Sequence, residues 1–109
     1  MQLDRTFSAL SDPTRRAILA RLAEGEATVT QLMALSEISQ PAVSRHLKVL
    51  QEAGLIGTRV AGQSRPRVLK AEALTPARDW LEETRAAFEQ NYARLDGLLA
   101  ELQGKGEAS

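Results

Sequence analysis

Residues 39–54 read Ser-Gln-Pro-Ala-Val-Ser-Arg-His-Leu-Lys-Val-Leu-Gln-Glu-Ala-Gly, and this stretch decides the fold. Its ends have the chemistry of helix termini: Ser39 can accept a hydrogen bond from a free backbone N–H, and Pro41 in the first turn wastes no donor. Gly54 suits the left-handed residue that follows a helix, and Leu55 can pack back on the last turn. The sequence therefore predicts one short helix between Ser39 and Gly54.

This predicted helix has two unlike faces. Val43, Leu47 and Leu50 recur at i, i+4 and i+7 and are expected to face a core. The opposite face carries short donors and cations without a carboxylate: Gln40, Ser44, Arg45 and Lys48. A helix with an apolar core-facing side and a donor-rich outer side has what is needed to read base edges in a major groove.

Charge is unevenly distributed along the chain. The 109 residues are enough for one domain with a modest core, and 14 basic residues balance 14 acidic ones. Residues 40–70, however, hold six Lys or Arg residues and one acid, Glu52. Such clustering concentrates a positive field that a nucleic acid would sense, whereas a scatter of solvated charges is the alternative interpretation.

The composition also excludes several kinds of site. The chain has no cysteine, so it has no disulfide, thiolate metal site or thiol chemistry. Its start lacks the basic region and apolar run of a signal peptide, and no apolar stretch approaches the roughly 20 residues that span a bilayer. We therefore expect a cytoplasmic protein with no membrane partner.

Three further helices are predicted before residue 39. Leu3, Phe7 and Leu10 form the apolar side of the first, and Asp12 is expected to cap the second. The side chains buried by the second helix are expected to be Ile18, Leu19 and Leu22.

The third predicted helix leads directly into the helix of residues 39–54. Thr30 is expected to cap it, with Leu32 and Leu35 pointing inward, and residues 36–38 form a tight turn. Two short helices joined by so short a turn, the second with a polar outer face, make a helix-turn-helix.

A β-hairpin is predicted to follow. Leu55–Val60 contains β-branched residues in rough alternation, residues 61–66 have turn chemistry, and Arg67–Lys70 form a second short strand. A hairpin directly after a helix-turn-helix is a wing, which can reach DNA beside the recognition helix. Four cations of this region are expected to neutralise phosphates: Lys48, Arg59, Arg65 and Arg67.

The last predicted helix, residues 76–103, carries an apolar stripe. Leu81, Phe88, Leu95 and Leu102 recur every seven residues. The stripe is widened by four further side chains: Trp80, Tyr92, Leu98 and Leu99.

The predicted length of this helix points to a second copy of the chain. At about 1.5 Å per residue it extends about 42 Å, whereas a compact domain of this size is roughly 34 Å across. A two-fold dimer would cover the stripe, and the alternative is a helix folded wholly on its own core. Residues 1–103 are interpreted as one domain and residues 104–109 as a flexible tail.

Together these features resemble the ArsR family of bacterial winged-helix transcriptional repressors. The resemblance covers residues 4–102 and rests on residues 10–19 (LSDPTRRAIL), 39–50 (SQPAVSRHLKVL) and 52–56 (EAGLI). It implies a mainly α fold with a β-hairpin wing: a winged helix-turn-helix of five helices and two short strands. It also implies a homodimer built by the first and last helices, with repression by occlusion of a promoter in double-stranded DNA.

The resemblance also implies roles for individual residues. The DNA-binding surface would comprise Ser39, Gln40, Ser44, Arg45 and His46, with Thr30 and Gln31 at the phosphates. The dimer interface would comprise Leu3, Phe7, Leu10, Leu81, Phe88, Tyr92, Leu95, Leu99 and Leu102. His46 falls at the border of the core face, where it would contact a phosphate or merely cap the core edge. Arg15 and Arg16 fit phosphate contacts and surface solubility equally well.

The chain departs from the metal-sensing members of this family. Those members have two cysteines near the start of the third helix, where this chain has Thr28–Leu32, or paired histidines on the last helix. A transition-metal site needs three or four N, S or O ligands, and one histidine without cysteine does not supply them. We expect no metal ligands and no cofactor; a repressor of the same fold that responds to a metal or an unknown small-molecule effector is the alternative.

Two other classes of function compete with DNA binding. An enzyme is not expected, because Ser44 and His46 are two residues apart and do not face each other on a helix. No phosphate loop or nucleophile elbow is present either. A winged helix that binds only protein would expose an apolar patch on the fourth helix, whereas the unopposed cations favour a polyanion. The prediction is a sequence-specific, metal-independent homodimeric repressor of an inverted-repeat operator.

Overall fold

The computed structural model describes residues 1–108, and for Ser36 and residues 105–108 it describes the backbone alone. Within these residues the elements are, in order, α1 (Gln2–Leu10), α2 (Pro13–Glu24), α3 (Val29–Ser36), α4 (Gln40–Glu52), β1 (Ile56–Thr58), β2 (Arg67–Leu69), a 3-10 turn (Ala71–Leu74) and α5 (Thr75–Ala108). They form two compact units, Met1–Ala77 and the chain from Arg78 onward. The predicted mainly helical fold with a two-stranded hairpin is confirmed. In the described part of the chain, no helix is long and apolar enough to cross a membrane.

Two of the predicted helix caps are confirmed. The Asp12 carboxylate accepts a hydrogen bond from the Arg15 backbone N–H at 3.0 Å, at the start of α2. The Ser39 hydroxyl accepts one from the Ala42 N–H at 3.3 Å, at the start of α4. Each side chain satisfies a donor that the first helical turn leaves without a partner.

The predicted cap of α3 is wrong. Thr28, two residues earlier than Thr30, accepts from the Gln31 N–H at 3.3 Å, and its own N–H donates to Gln31 Oε1 at 2.8 Å. This reciprocal pair needs Gln or Glu three residues after the cap, a condition that Thr28 meets and Thr30 does not.

Of the two residues of α3 predicted to point inward, one is buried and the other is not. Leu32 is buried, but Leu35 is 45% exposed. The face that packs on the core is set by Val29, Leu32 and Met33, at the i, i+3, i+4 spacing, and Leu35 lies off that face.

The end of α4 forms the predicted left-handed stop. Gly54 has φ = +77° and its N–H donates to Gln51 O at 2.9 Å, while the Leu55 N–H donates to Leu50 O at 3.0 Å. These two bonds make a Schellman motif. Leu55 is then carried into the core, where it is fully buried.

The core lies between α1–α4 and the base of the hairpin. All seven side chains predicted from α2, α3 and α4 to face inward, other than Leu35, are buried there: Ile18, Leu19, Leu22, Leu32, Val43, Leu47 and Leu50. Ala9 of α1 and Ile56 of β1 complete two of its sides.

The hairpin is antiparallel and short. Ile56 pairs with Leu69, Gly57 with Val68 and Thr58 with Arg67. Its tip is closed by a pairing of Ala61 with Ser64, which leaves a two-residue turn. A second backbone pairing, between Ala27 and Arg67, joins the segment before α3 to the hairpin and has no local sequence signal.

The last helix is longer than its sequence predicts. It runs from Thr75 to Ala108, past Gly104, where the pattern placed its end. Each of the two glycines in this segment, Gly104 and Gly106, costs only about 1 kcal/mol in a helix, and no proline follows to stop it. The predicted flexible tail is therefore helical through Ala108, and Ser109 lies outside the described residues.

The Gly54 stop gives a stability prediction. Gly54→Ala is expected to lower the free energy of unfolding by about 1–2 kcal/mol, because a side chain disfavours the left-handed backbone. The added Cβ would also lie 3.3 Å from Gln2 Nε2. Urea unfolding followed by circular dichroism measures the change.

Gly97→Ala is the matched control for this substitution. A Cβ at Gly97 of α5 has no atom within 4 Å, so this change should stabilise the helix by about 0.5–1 kcal/mol. Equal effects of the two substitutions would contradict the role given to Gly54.

Candidate nucleic-acid interface

The outer face of α4 is the centre of the candidate site. Gln40, Ser44, Arg45 and Lys48 are exposed, while Val43, Leu47 and Leu50 on the opposite face are at most 3% exposed. The core thus fixes the rotation of the helix and turns its donors outward. Residues 40–48 include two cations and no acid.

The turn before α4 sets the angle between the two helices of the helix-turn-helix. Glu37 ends α3 with a left-handed backbone, φ = +52°, and Ile38 packs against the core. Thr30 and Gln31 are exposed in the first turn of α3. Because Gln31 Oε1 already accepts from Thr28, its amide NH₂ is the part that can reach outward.

The structure departs from the expectation for Arg59. Its guanidinium donates to both carboxylate oxygens of Glu26, at 2.6 and 2.5 Å. These hydrogen bonds hold the pKa of Glu26 below its ordinary value and raise that of Arg59. The pair carries no net charge, so Arg59 is not the unopposed cation that the sequence suggests.

Arg67 also departs from the predicted phosphate contact. Its Nη1 donates to the Arg65 carbonyl. Its Nε is buried without a hydrogen-bond partner, and no other side-chain nitrogen or oxygen in the described part of the chain is so placed. Its side chain lines a groove of about 390 Å³ together with five residues of α4: Ser44, Leu47, Lys48, Gln51 and Glu52. It packs between hairpin and helix instead of extending into solvent.

Arg65 keeps an exposed position at the hairpin tip. Its Nη1 donates to the carbonyl oxygens of Gly62 and Ser64, each at 2.9 Å. The guanidinium has further N–H donors, so these bonds hold the side chain in place and leave donors available for another acceptor.

His46 faces α2, contrary to the expectation that it faces DNA beside Arg45. Its Nδ1 lies 3.2 Å from Arg15 Nη1 and 3.9 Å from Asp12 Oδ2. The side chain is 23% exposed, which agrees with a position at the border of the core. The hydrogen bond from the backbone N–H of Arg15, supported by the charge of the Arg15 guanidinium, holds the pKa of Asp12 below its ordinary value.

Arg15 and Arg16 bind the carboxyl end of α1. Arg15 donates to the carbonyl oxygens of Ser8 and Ala9, at 3.2 and 2.7 Å, and Arg16 donates to that of Leu10 at 2.7 Å. The last carbonyls of a helix lack intrahelical donors, and these two guanidinium groups supply them. Neither is simply a solvated surface cation.

The sequence-based prediction lacks two features of this region: the pairing of Glu26 with Arg59 and the bridging role of Arg15. Glu26 is 33 residues from its partner, so no local pattern identifies the pair. For Arg15 a signal existed: α1 ends only three residues before α2 begins. An arginine in the first turn of α2 can therefore reach back to the open carbonyls of α1.

The predicted interface residues of α5 form an exposed apolar face. At 100° per residue, the apolar side chains fall within an arc of about 120°. Each of them is about half exposed or more, and Phe88 is 68% exposed: Trp80, Leu81, Phe88, Tyr92, Leu95, Leu98, Leu99 and Leu102. The rings of Phe88 and Tyr92 stack with centroids 6.1 Å apart. Arg85 pairs with Glu82 and Glu89. In α1, Leu3, Phe7 and Leu10 are half-buried.

No metal-binding cluster is found in the described residues: no three or more His, Cys, Asp or Glu side chains converge there.

Comparison with known proteins assigns this helix-turn-helix. Residues 12–58 match the family model described as bacterial regulatory protein, arsR family. The HTH-type transcriptional regulator Rv2034 of Mycobacterium tuberculosis is 42% identical over 92 residues, which are 84% of this chain and 86% of that protein. The chain belongs to the ArsR family.

Two further similarities extend over most of this ArsR-family chain. The transcriptional repressor SdpR of Bacillus subtilis is 34% identical over 79 residues, 72% of this chain and 88% of SdpR. The structure of an ArsR-like transcriptional regulator from Rhodococcus sp. RHA1 aligns with a TM-score of 0.82 at 26% identity, over 92% of each chain. The protein is a transcriptional regulator with a DNA-binding winged helix-turn-helix, and its family is non-enzymatic.

The Glu26–Arg59 pair gives a pH prediction. Since its pKa is lowered in the folded chain, ionised Glu26 stabilises the fold above its ordinary pKa of 4.5. That contribution is lost as the pH falls through the folded-state pKa. Glu26→Gln is expected to be less stable than wild type in urea at neutral pH, with the difference disappearing in acid.

Glu24→Gln controls for the loss of a carboxylate. Glu24 is exposed and forms no ion pair in the described structure, so this variant should follow the wild type across the pH range. If Glu26→Gln does the same, the ion pair does not contribute to the stability of the fold.

Proposed function

We propose that this chain is a homodimeric, metal-independent repressor that acts in the cytoplasm on an inverted-repeat operator. The observation that carries the proposal is the outer face of α4. It presents amide, hydroxyl and guanidinium donors to solvent over residues 40–48, without a carboxylate, on a helix held rigidly from behind. A major groove accepts a helix of this kind and offers acceptors to such donors.

Arg45 is the side chain best suited to discriminate bases. It is exposed on the side of α4 opposite the buried Val43 and Leu47, and a guanidinium can donate two parallel hydrogen bonds to guanine O6 and N7. Gln40 and Ser44 lie one turn earlier and beside it, and we assign them to neighbouring base edges. Ser39 keeps its hydroxyl at the helix start and is assigned no base.

The phosphate contacts are assigned to fewer cations than the sequence offers. Lys48 on α4 and Arg65 at the hairpin tip are exposed and face no acid in the described ion pairs. Thr30 and Gln31, at the exposed start of α3, add neutral donors. Arg59 is neutralised by Glu26 and Arg67 is held along the hairpin, so neither is included.

The apolar face of α5 supports the homodimer. A helix of 34 residues is about 51 Å long, and a stripe of leucines and aromatic rings along it is a large apolar patch to leave in water. A second copy related by a two-fold axis covers both stripes at once. Two recognition helices related by that axis would read half-sites about 10 base pairs apart.

Repression is supported by similarity to a repressor, and independence of metals by the side chains of this chain. A dimer seated on a promoter would occlude it, and one of the relatives of this chain is named a transcriptional repressor. The chain has no cysteine and one histidine, whose Nδ1 is engaged with Arg15. These side chains do not supply the nitrogen and sulfur ligands that transition-metal sites use.

The operator and the role of Arg45 can be tested together. Genomic fragments retained by the purified protein are sequenced, and the enriched duplex and a scrambled one are titrated by fluorescence anisotropy. Arg45→Ala is expected to weaken binding to the enriched duplex by about 1–3 kcal/mol and to scrambled DNA much less. Arg65→Ala, the matched control, should weaken both equally and lower the salt slope by about one unit.

The outcomes separate the candidate functions. Retention of no fragment, and no binding to any duplex at low ionic strength, would show that DNA is not the partner. Equal losses on both duplexes for Arg45→Ala would make Arg45 a phosphate contact.

The dimer is tested by placing a carboxylate in the stripe. Phe88→Glu would bury an unpaired charge at two symmetric positions, so the dimer dissociation constant should rise at least about a hundredfold. Ala100→Glu introduces the same residue on the exposed polar side of α5 and should leave the dimer intact. Sedimentation equilibrium measures both, and a Phe88→Glu dimer as tight as wild type would exclude this face.

A further inference from the structure

Arg15 connects two helices that have different tasks in the proposed repressor. Its Nε and Nη2 donate to the carbonyl oxygens of Ala9 and Ser8 at the end of α1, and its Nη1 lies 3.2 Å from His46 Nδ1 on α4. One planar group thus joins the end of α1 to the recognition helix. Arg16, the next residue, reaches α1 but not α4.

The chemistry of this contact fixes the state of His46. A guanidinium can only donate, so Nδ1 must act as the acceptor and carry no proton. The imidazole in this arrangement is therefore neutral, with its proton on Nε2. Protonation of Nδ1 would convert the acceptor into a second donor facing the cation of Arg15.

Asp12 is placed to accept a hydrogen bond from a protonated His46 ring. Its Oδ2 lies 3.9 Å from the same Nδ1, just beyond hydrogen-bond distance. Because the Arg15 backbone N–H keeps the pKa of Asp12 low, the carboxylate stays ionised where imidazoles titrate. A small rotation of the ring would exchange the bond to Arg15 for one to Asp12.

We propose that Arg15 is a positioning residue for operator recognition. Through His46 it holds α4 against the carboxyl end of α1, and protonation of His46 releases α4 from that hold by transferring the imidazole to Asp12. The inference rests on the proposed function, in which α4 reads DNA.

Other charged groups are not placed to compete for this ring. Residues 29–36 of α3 and 56–58 of β1 contain no titratable side chain. The acid and base of α1, Asp4 and Arg5, line a separate groove with Val49 and Glu52. Arg45 and Lys48, on α4 itself, are on its exposed side.

A second bond between α1 and α4 does not titrate. Gln2 Nε2 donates to the carbonyl oxygen of Ala53, just after the last turn of α4. Because the amide holds this end and Val43 and Leu47 keep the inner face buried, protonation would loosen α4 only around its middle, where His46 lies among the donors.

The proposal is distinguished from simple electrostatics by the ratio of operator affinity to scrambled-duplex affinity, which an added charge alone leaves unchanged. A proton on His46 adds positive charge near DNA and, acting only as charge, raises affinity for every duplex. Displacement of α4 instead weakens its contacts to bases. It therefore lowers the ratio of operator affinity to scrambled-duplex affinity.

The experiment titrates full-length wild-type protein with the enriched and scrambled duplexes at about pH 8 and about pH 5.5, which bracket the ordinary imidazole range. The affinity ratio is expected to fall about tenfold on acidification, the size of one hydrogen bond to a charged group. His46 is the sole histidine, so ¹⁵N NMR of the imidazole reports its tautomer directly. A proton on Nε2 alone is expected at the higher pH.

Two variants and a control test the assignment. His46→Asn places an amide oxygen where Nδ1 was, so the ratio should lose its pH dependence. Arg15→Lys cannot bond Ser8, Ala9 and His46 together, so its ratio at high pH should fall to the acid value of the wild type. Arg16→Lys keeps the same charge next to this site and should retain the full pH dependence. Thermal melting confirms that each variant is folded.

The experiment distinguishes failure of the role given to Arg15 from failure of the proposed function. Operator binding with a pH-independent ratio in the wild type, or a proton on Nδ1 at high pH, overturns the role of Arg15 alone. A protein that binds no duplex at either pH overturns the proposed function, and with it this inference.

Discussion

The burial of one face of α4 is the constraint on which the rest of the structure depends. Val43, Leu47 and Leu50 lie in the core at most 3% exposed, and this burial fixes the rotation of the helix about its axis. A rotation by one residue, about 100°, would carry Arg45 toward the core, where an unpaired cation is costly. Apolar packing behind the helix therefore determines which polar groups appear in front of it.

Local signals explain why the order of elements could be predicted. The i, i+4, i+7 spacing in α4, the Asp12 and Ser39 caps and the Gly54 stop all act within one or two turns, so the sequence displays them directly. The sequence pattern misleads where local signals compete. Two threonines could cap α3, and only the glutamine three residues after Thr28 decides between them. Gly104 was too weak a signal to end α5.

The candidate site was predictable in its centre and not at its edges. The exposed face of α4 follows from helical periodicity alone. The partners of the flanking charges do not, because they depend on tertiary structure: Arg59 meets Glu26 across 33 residues, and Arg15 meets His46 across 31. A count of basic residues therefore overestimates the positive charge available to DNA.

The hairpin is tied to the segment before α3 through two adjacent residues of that segment. Ala27 pairs its backbone with Arg67 in both directions, at 3.1 and 2.7 Å, and the Glu26 carboxylate accepts hydrogen bonds from Arg59, the residue after β1. A hairpin held in this way moves together with the helices beneath it. In a complex of the kind proposed, adjustment would fall on the duplex rather than on the protein. Operators rich in easily deformed pyrimidine–purine steps would then be favoured at positions that no side chain touches.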